Sequence, residues 1–256
     1  MRTGLVERAD DWIASEVPIA LHYNGHPHVV MMATPADLDD FALGFSLSEA
    51  IIQSPTQLER VEVRMLLEGI EVSLRIPSAH AAAVAARQRN LTGRSSCGLC
   101  GSQELADVVR HPPRVGDGVV IPAQTLHHSL AALDRAQPLN LQTGATHAAA
   151  WVDANGELAL VREDVGRHNA LDKLIGAMAS AGIDTQRGFL IVTSRASFEM
   201  VQKAATVGIA LVAAISAPTA LAIHLAETTG VTLIGFARTD GFVVYTHPHR
   251  VVGATG

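Results

Sequence analysis

The chain predicts an α/β fold, a sheet covered by helices, with a smaller β-rich N-terminal part. Three observations predict it. Strand-like and helix-like segments alternate through the second half of the sequence. The first third carries short strand pairs around turn dipeptides. Hydrophobic residues make up 48% of the 256 positions and charged ones 17%, as a globular core requires.

Residues 18–32 read as two strands around Asn24-Gly25, a dipeptide that accepts the positive φ of a tight hairpin turn. Residues 37–52 read as a helix that starts at Thr34 or Asp37, with Phe41, Phe45 and Ile52 among its apolar positions. A second hairpin spans 61–76 around Glu68-Gly69, and a helix spans 79–89. A polar, glycine-bearing stretch at 90–102 follows, then a proline-containing connection at 110–117 and a helix at 122–136.

Strands at 147–153 and 157–162 flank Asn155-Gly156, and Leu171, Leu174, Ile175 and Met178 repeat at helical spacing. Strand 189–193, helix 198–208, strand 211–215, helix 218–226 and strands 231–237 and 242–246 complete the chain. Pro218 is expected in the first turn of its helix, where no N–H is needed. The domain boundary is expected near residue 120, giving a β-rich part at 1–120 and an α/β part at 121–256.

Net charge is −6, which argues against a broad nucleic-acid surface. No apolar leader is visible at the N-terminus, and no apolar run approaches the length of a membrane span. The expectation is a cytoplasmic protein that binds neither nucleic acid nor membrane.

The two cysteines, Cys97 and Cys100, form one CxxC, with a glycine after each. In a reducing compartment such a pair is a redox dithiol, part of a metal site or a sulfur-handling nucleophile. Arg94 and an apparent downstream helix would favour the thiolate. Zinc needs about four ligands, and the twelve histidines include no finger-like pair at a suitable distance. A zinc deaminase needs H-x-E before P-C-x-x-C; no histidine here has a glutamate two residues on, and Ser96 precedes Cys97. A thioredoxin-like CxxC follows an early strand, whereas ninety-six residues precede this one. Spacing alone does not separate redox chemistry from sulfur transfer, which share thiolate exchange.

The residues around the dithiol resemble a known family. Residues 92–101, TGRSSCGLCG, are similar to the signature loop of the FdhD family, sulfur carriers required for formate dehydrogenase activity. Residues 163–173 (EDVGRHNALDK), 194–203 (SRASFEMVQK), 216–222 (SAPTALA) and the helix at 37–52 resemble further blocks of that family in the same order. One departure is Ala145, where the family pattern leads us to expect a glycine before Thr146 and His147.

The resemblance implies a sulfurtransferase with a cytidine-deaminase-like sheet. It implies that sulfane sulfur passes from a cysteine desulfurase to Cys97 as a persulfide, with Cys100 as companion. The acceptor would be the molybdenum or tungsten bis(molybdopterin guanine dinucleotide) cofactor destined for formate dehydrogenase. It also implies a homodimer, no resident metal, and cofactor contact by Phe236, Ala237, Arg238, Thr239, Asp240 and Gly241. Arg195 and Arg238 would pair phosphate oxygens. His168 would line the pocket, its tautomer set by Asp172 one helical turn away. Two other classes stand beside this: a non-covalent cofactor chaperone and a CxxC thiol–disulfide oxidoreductase.

Overall fold

The computed structural model describes residues 10–89 and 112–253, so Cys97 and Cys100 lie outside the described residues. The architecture is mixed α/β, as expected. Strands β1 (Val17–Tyr23), β2 (His26–Ala33), β3 (Arg60–Met65) and β4 (Ile70–Arg75) form a four-stranded sheet in the order β2-β1-β4-β3. Both hairpins sit at the expected turns, and a parallel β1–β4 pairing joins them. Helix α1 (Leu38–Ser48) covers this sheet, and Phe41 and Phe45 pack against Ile19, Leu21, Val72 and Leu74. The helix is shorter than expected: Ile52 lies beyond its end but is buried in the same core. Helix α2 (Ser78–Arg89) closes the described part of this half.

The second sheet has six strands: β6 (His147–Asp153), β7 (Leu158–Asp164), β8 (Gly188–Val192), β9 (Leu211–Ala214), β10 (Thr232–Arg238) and β11 (Gly241–Val244). Their order is β11-β10-β9-β8-β6-β7, with β8, β9 and β10 mutually parallel. Helices cover both faces. On one face Ala149, Trp151, Leu190 and Val192 meet α5 (Arg167–Ser180), α6 (Phe198–Thr206) and α7 (Ala220–Thr229). On the other, Ala148, Ala150, Phe189 and Ile191 meet α3 (Ala123–Leu133) through Leu126, Leu130 and Leu133. Alternate residues of one strand thus serve opposite faces, as a pleated strand buried on both sides requires. The many alanines let the helices lie close to the sheet.

Three details depart from the sequence expectation. A short helix α4 (Pro138–Thr143) and a two-residue parallel pair of β5 (Ile121–Pro122) with β12 (Val251–Val252) have no strong periodic signal. Helix α7 begins at Ala220, not at Pro218. Pro218 instead makes a bridge to Ala196, and the Thr219 side chain accepts from the Ala222 N–H as the N-cap. Ala145 is accommodated because the left-handed conformation falls on Gly144, with φ 63°, at the end of α4.

The two sheets are held together through α1 and α5, which cross at Gly44 and Gly176. A Cβ on Gly44 would collide with the Asp172 carbonyl, and one on Gly176 with the Asp40 carbonyl. Beside this crossing lie two buried lysines. Lys173 Nζ is 2.7 Å from Asp164 Oδ2, both fully buried, and donates to the Thr34 carbonyl. Lys203 Nζ donates to both Asp172 oxygens, to Ser48 and to Glu49. Burial opposes the charge on Lys203, but the carboxylates of Asp172 and Glu49 outweigh it and raise its pKa.

Candidate functional site

The loops after β7, β8, β9 and β10 and the start of β6 all lie along one edge of the six-stranded sheet. In open α/β sheets, ligand sites form at the carboxyl ends of the parallel strands. The backbone fixes the neighbours. Thr193 donates to the Ala148 carbonyl, so the loop after β8 adjoins the start of β6. Phe236 donates to the Ser216 carbonyl, placing the end of β10 beside the loop after β9. β10 lies three strand spacings from β6, about 14 Å at roughly 4.8 Å per strand.

At the β6 end of this edge, four side chains from three elements converge. His147 opens β6, Arg167 and His168 open α5, and Glu199 lies in the first turn of α6. His168 Nε2 lies 3.1 Å from Glu199 Oε2, and Ser197 Oγ donates to the same oxygen over 3.0 Å. The hydrogen bond from His168 holds the Glu199 carboxyl below its usual range. Burial, then the charges of Arg167 and His168, lower the pKa of His147 and favour its neutral ring.

This geometry corrects the expected partner of His168. Asp172 is one turn along the same helix, but its side chain is fully buried and taken by Ser48 and Lys203. The carboxylate that pairs with His168 comes from Glu199, thirty-one residues away in sequence. Asp164 is likewise fully engaged. It accepts from the N–H groups of Gly166 and Thr34 and from Asn169 while pairing with Lys173. Glu163 accepts from the Leu139 and Asn140 N–H groups and from Thr146, and so holds the start of α4.

The other expected contact residues fall along the same edge. Arg195 is exposed on the loop after β8. Arg238, Thr239 and Asp240 are exposed at the β10–β11 turn, where Arg238 pairs with Gly241. Phe236 is 42% exposed and has a left-handed φ of 51°, in a bulge of the β10–β11 pairing. Ala237, by contrast, packs its side chain into the core. His127 Nδ1 lies 3.1 Å from the Arg238 carbonyl and its ring 5.4 Å from Phe242, fixing the hairpin on α3. Cys97 and Cys100 lie outside the described residues, so the structure does not position them against this edge.

An apolar groove of about 330 Å³ lies at the far ends of α1, α5 and α6, lined by Leu47, Ile175, Met178 and Val207 among others. It carries no ionisable side chain and stands apart from His168. Among the described residues no group of three or more His, Cys, Asp or Glu side chains is arranged to hold a metal ion. None of their helices is long and apolar enough to cross a membrane.

The FdhD/NarQ family model matches residues 14–252. The chain belongs to this family. A "Sulfur carrier protein FdhD" from Xanthomonas euvesicatoria pv. vesicatoria is 56% identical over 250 residues, which cover 98% of this chain and 89% of that protein. One of the same description from Bordetella petrii is 50% identical over 253 residues, covering 98% and 91%. The FdhD/NarQ assignment therefore spans both sheets. The fold also matches a crystal structure from Desulfotalea psychrophila, described as a formate dehydrogenase accessory protein. The TM-score is 0.75 at 23% identity, covering 98% of this chain and 96% of that one.

His147 and Glu199 are the site residues that sequence spacing did not single out. They lie 21 residues before and 31 residues after His168. Only the pairing of β6 with β7 and β8, and the packing of α6 beside α5, brings them to it.

Proposed function

We propose that this protein is a cytoplasmic sulfur carrier that takes sulfane sulfur onto Cys97 as a persulfide and passes it to a molybdenum or tungsten bis(molybdopterin guanine dinucleotide) substrate for formate dehydrogenase. The observation that carries this reading is family membership over nearly the whole chain, with relatives at 50–56% identity described as sulfur carriers. The single CxxC supplies the required thiolate chemistry.

In the loading step the Cys97 thiolate attacks the outer sulfur of a desulfurase persulfide. The new S–S bond forms as the donor's S–S bond breaks, and the donor leaves as a thiolate; no external oxidant is required. The sheet edge supports the second half of the reading. It displays Arg195, Arg238 and Asp240 for phosphate oxygens and a purine edge. It also presents Phe236, an exposed aromatic held in a backbone conformation that costs energy for a non-glycine residue, a cost that functional sites tolerate. A homodimer with a cysteine desulfurase and formate dehydrogenase as partners completes the proposal.

The test is intact-mass measurement after mixing with a cysteine desulfurase and cysteine. One added sulfur atom, removable by reductant and absent in Cys97→Ala, is the expected result. No reducible adduct under turnover would overturn covalent carriage. Full support of formate dehydrogenase by a protein lacking both thiols would instead establish a non-covalent chaperone.

A further inference from the structure

The two edges of the four-stranded sheet are built differently. The order β2-β1-β4-β3 leaves β2 and β3 outermost among the described strands. An edge strand offers unpaired N–H and C=O groups to any extended chain, and proteins commonly interrupt it with proline, lysine or a bulge. β2 is interrupted in this way: it holds Pro27, and its register against β1 shifts between Leu21 and His22. β3 has neither proline nor lysine, and it pairs with β4 in unbroken register from Arg60 to Met65.

β3 also alternates strictly. Val61, Val63 and Met65 lie opposite Leu74, Val72 and Ile70, on the core side of the sheet. The core stops short of them. Val63 is 41% exposed and Met65 75%, and Leu66 and Leu67 continue the apolar surface into the turn. Arg60, Glu62 and Arg64 stand on the other side, where Glu62 pairs with both arginines of its own strand. The Leu66 N–H donates to the Gly69 carbonyl, beside the Met65–Ile70 pair. The even-numbered residues of β3 therefore bond to β4, and the backbone groups of Val61, Val63 and Met65 point away from the sheet.

We propose that β3 joins two copies of this chain edge to edge, antiparallel, about a twofold axis at Val63, so that two four-stranded sheets become one of eight strands. Val61, Val63 and Met65 then exchange backbone hydrogen bonds with the partner's Met65, Val63 and Val61, and these apolar residues share one face. The charges select the register. An axis at Glu62 sets that carboxylate against the partner's Glu62, and an axis at Arg64 sets arginine against arginine. An axis at Val61 opposes Glu62 and the partner's Arg60 but leaves Met65 outside the ladder. The axis at Val63 alone pairs the whole strand and places each Glu62 opposite the partner's Arg64, in the closely spaced positions of the ladder. The proposal shares with the reading above only the second copy as partner, adds the surface and its register, and is independent of sulfur carriage.

The test is sedimentation velocity of the full chain over a concentration series, with thermal unfolding to confirm that each variant folds. The wild type should dimerise. Glu62→Arg and Arg64→Glu should each weaken self-association at least tenfold, because like charges then meet across the axis. An equimolar mixture of these two variants should recover dimers, since every arginine at positions 62 and 64 of one copy then faces a glutamate of the other. Val63→Pro keeps the bonds to β4, removes an N–H from the free edge and should also weaken the dimer at least tenfold. Amide exchange at Val61, Val63 and Met65 should slow as concentration rises, while Glu62 and Arg64 stay unchanged. A dimer that survives all three substitutions overturns the edge contact and leaves the homodimer to another surface. A mixture that stays monomeric overturns the register. A wild type that is monomeric throughout overturns the edge contact and the homodimer together, and leaves β3 to a different partner. Sulfur loading of Cys97 on the same preparations judges the sulfur-carrier reading separately.

Discussion

Gly44 of α1 and Gly176 of α5 bring two helix backbones into direct contact where the two sheets join. Neither glycine has a positive φ, so each is required for space and not for conformation. Alanine is the better helix former by about 1 kcal/mol, yet here it collides with a carbonyl that cannot rotate away. Gly44→Ala and Gly176→Ala should each destabilise the protein by about 3 kcal/mol or more, read as a lower urea midpoint with an unchanged slope. Stabilisation by either substitution would show that the helices are not pressed together.

Among the described residues Lys203 is the one cation that reaches Asp172, which otherwise accepts from Ser48. Lys203→Met should cost about 3–5 kcal/mol, because it leaves a carboxylate buried without its counter-charge. Changing both partners, Lys203→Met with Asp172→Leu, should cost less than the single change. Equilibrium unfolding of the two single variants and the double variant measures the coupling.

Glu163 accepts three hydrogen bonds that fix α4 ahead of the turn into His147. Glu163→Ala should lose about 1–3 kcal/mol, since buried donors are left unpaired. Glu163→Gln keeps an acceptor oxygen and should lose less. Hydrogen exchange at Leu139 and Asn140 checks that the loss is local.

His147 contributes a defined pH dependence. Its pKa is lowered in the fold from the ordinary value of 6.5 by burial and by the charges of Arg167 and His168. The unfolded chain therefore binds the proton more readily. The contribution of His147 to stability is complete above about pH 6.5 and is lost as pH falls through the lowered native value. His147→Asn should flatten this part of the stability profile, measured by urea unfolding on either side of pH 6.5. An identical slope in the variant would assign the dependence to other groups.

The elements were legible where local chemistry decided them. Asn24-Gly25 marked its hairpin because both central residues of a two-residue turn take positive φ, while Gly69 and Gly156, also at positive φ, marked hairpins with longer connections. The repeat Leu171, Leu174, Ile175, Met178 marked α5 because those positions share one helix face. The misses have equally physical causes. Pro218 suits a helix start, but the bridge to Ala196 holds it in an extended conformation. α4 is too short for a periodic signal and depends on Glu163 from another element.

The sequence by itself determined the class of fold, the family and the dithiol, because strand alternation, turn dipeptides and long ordered motifs are written locally. Tertiary structure alone decided the partners. Asp172, the carboxylate nearest to His168 on its own helix, turns inward to Lys203 because the α1–α5–α6 junction buries that face. Glu199, from a different helix, takes its place because the parallel strands β8 and β9 carry α6 to the same edge of the sheet. A helix repeat states which residues share a face; packing decides which face meets a neighbour, and so which charges find each other.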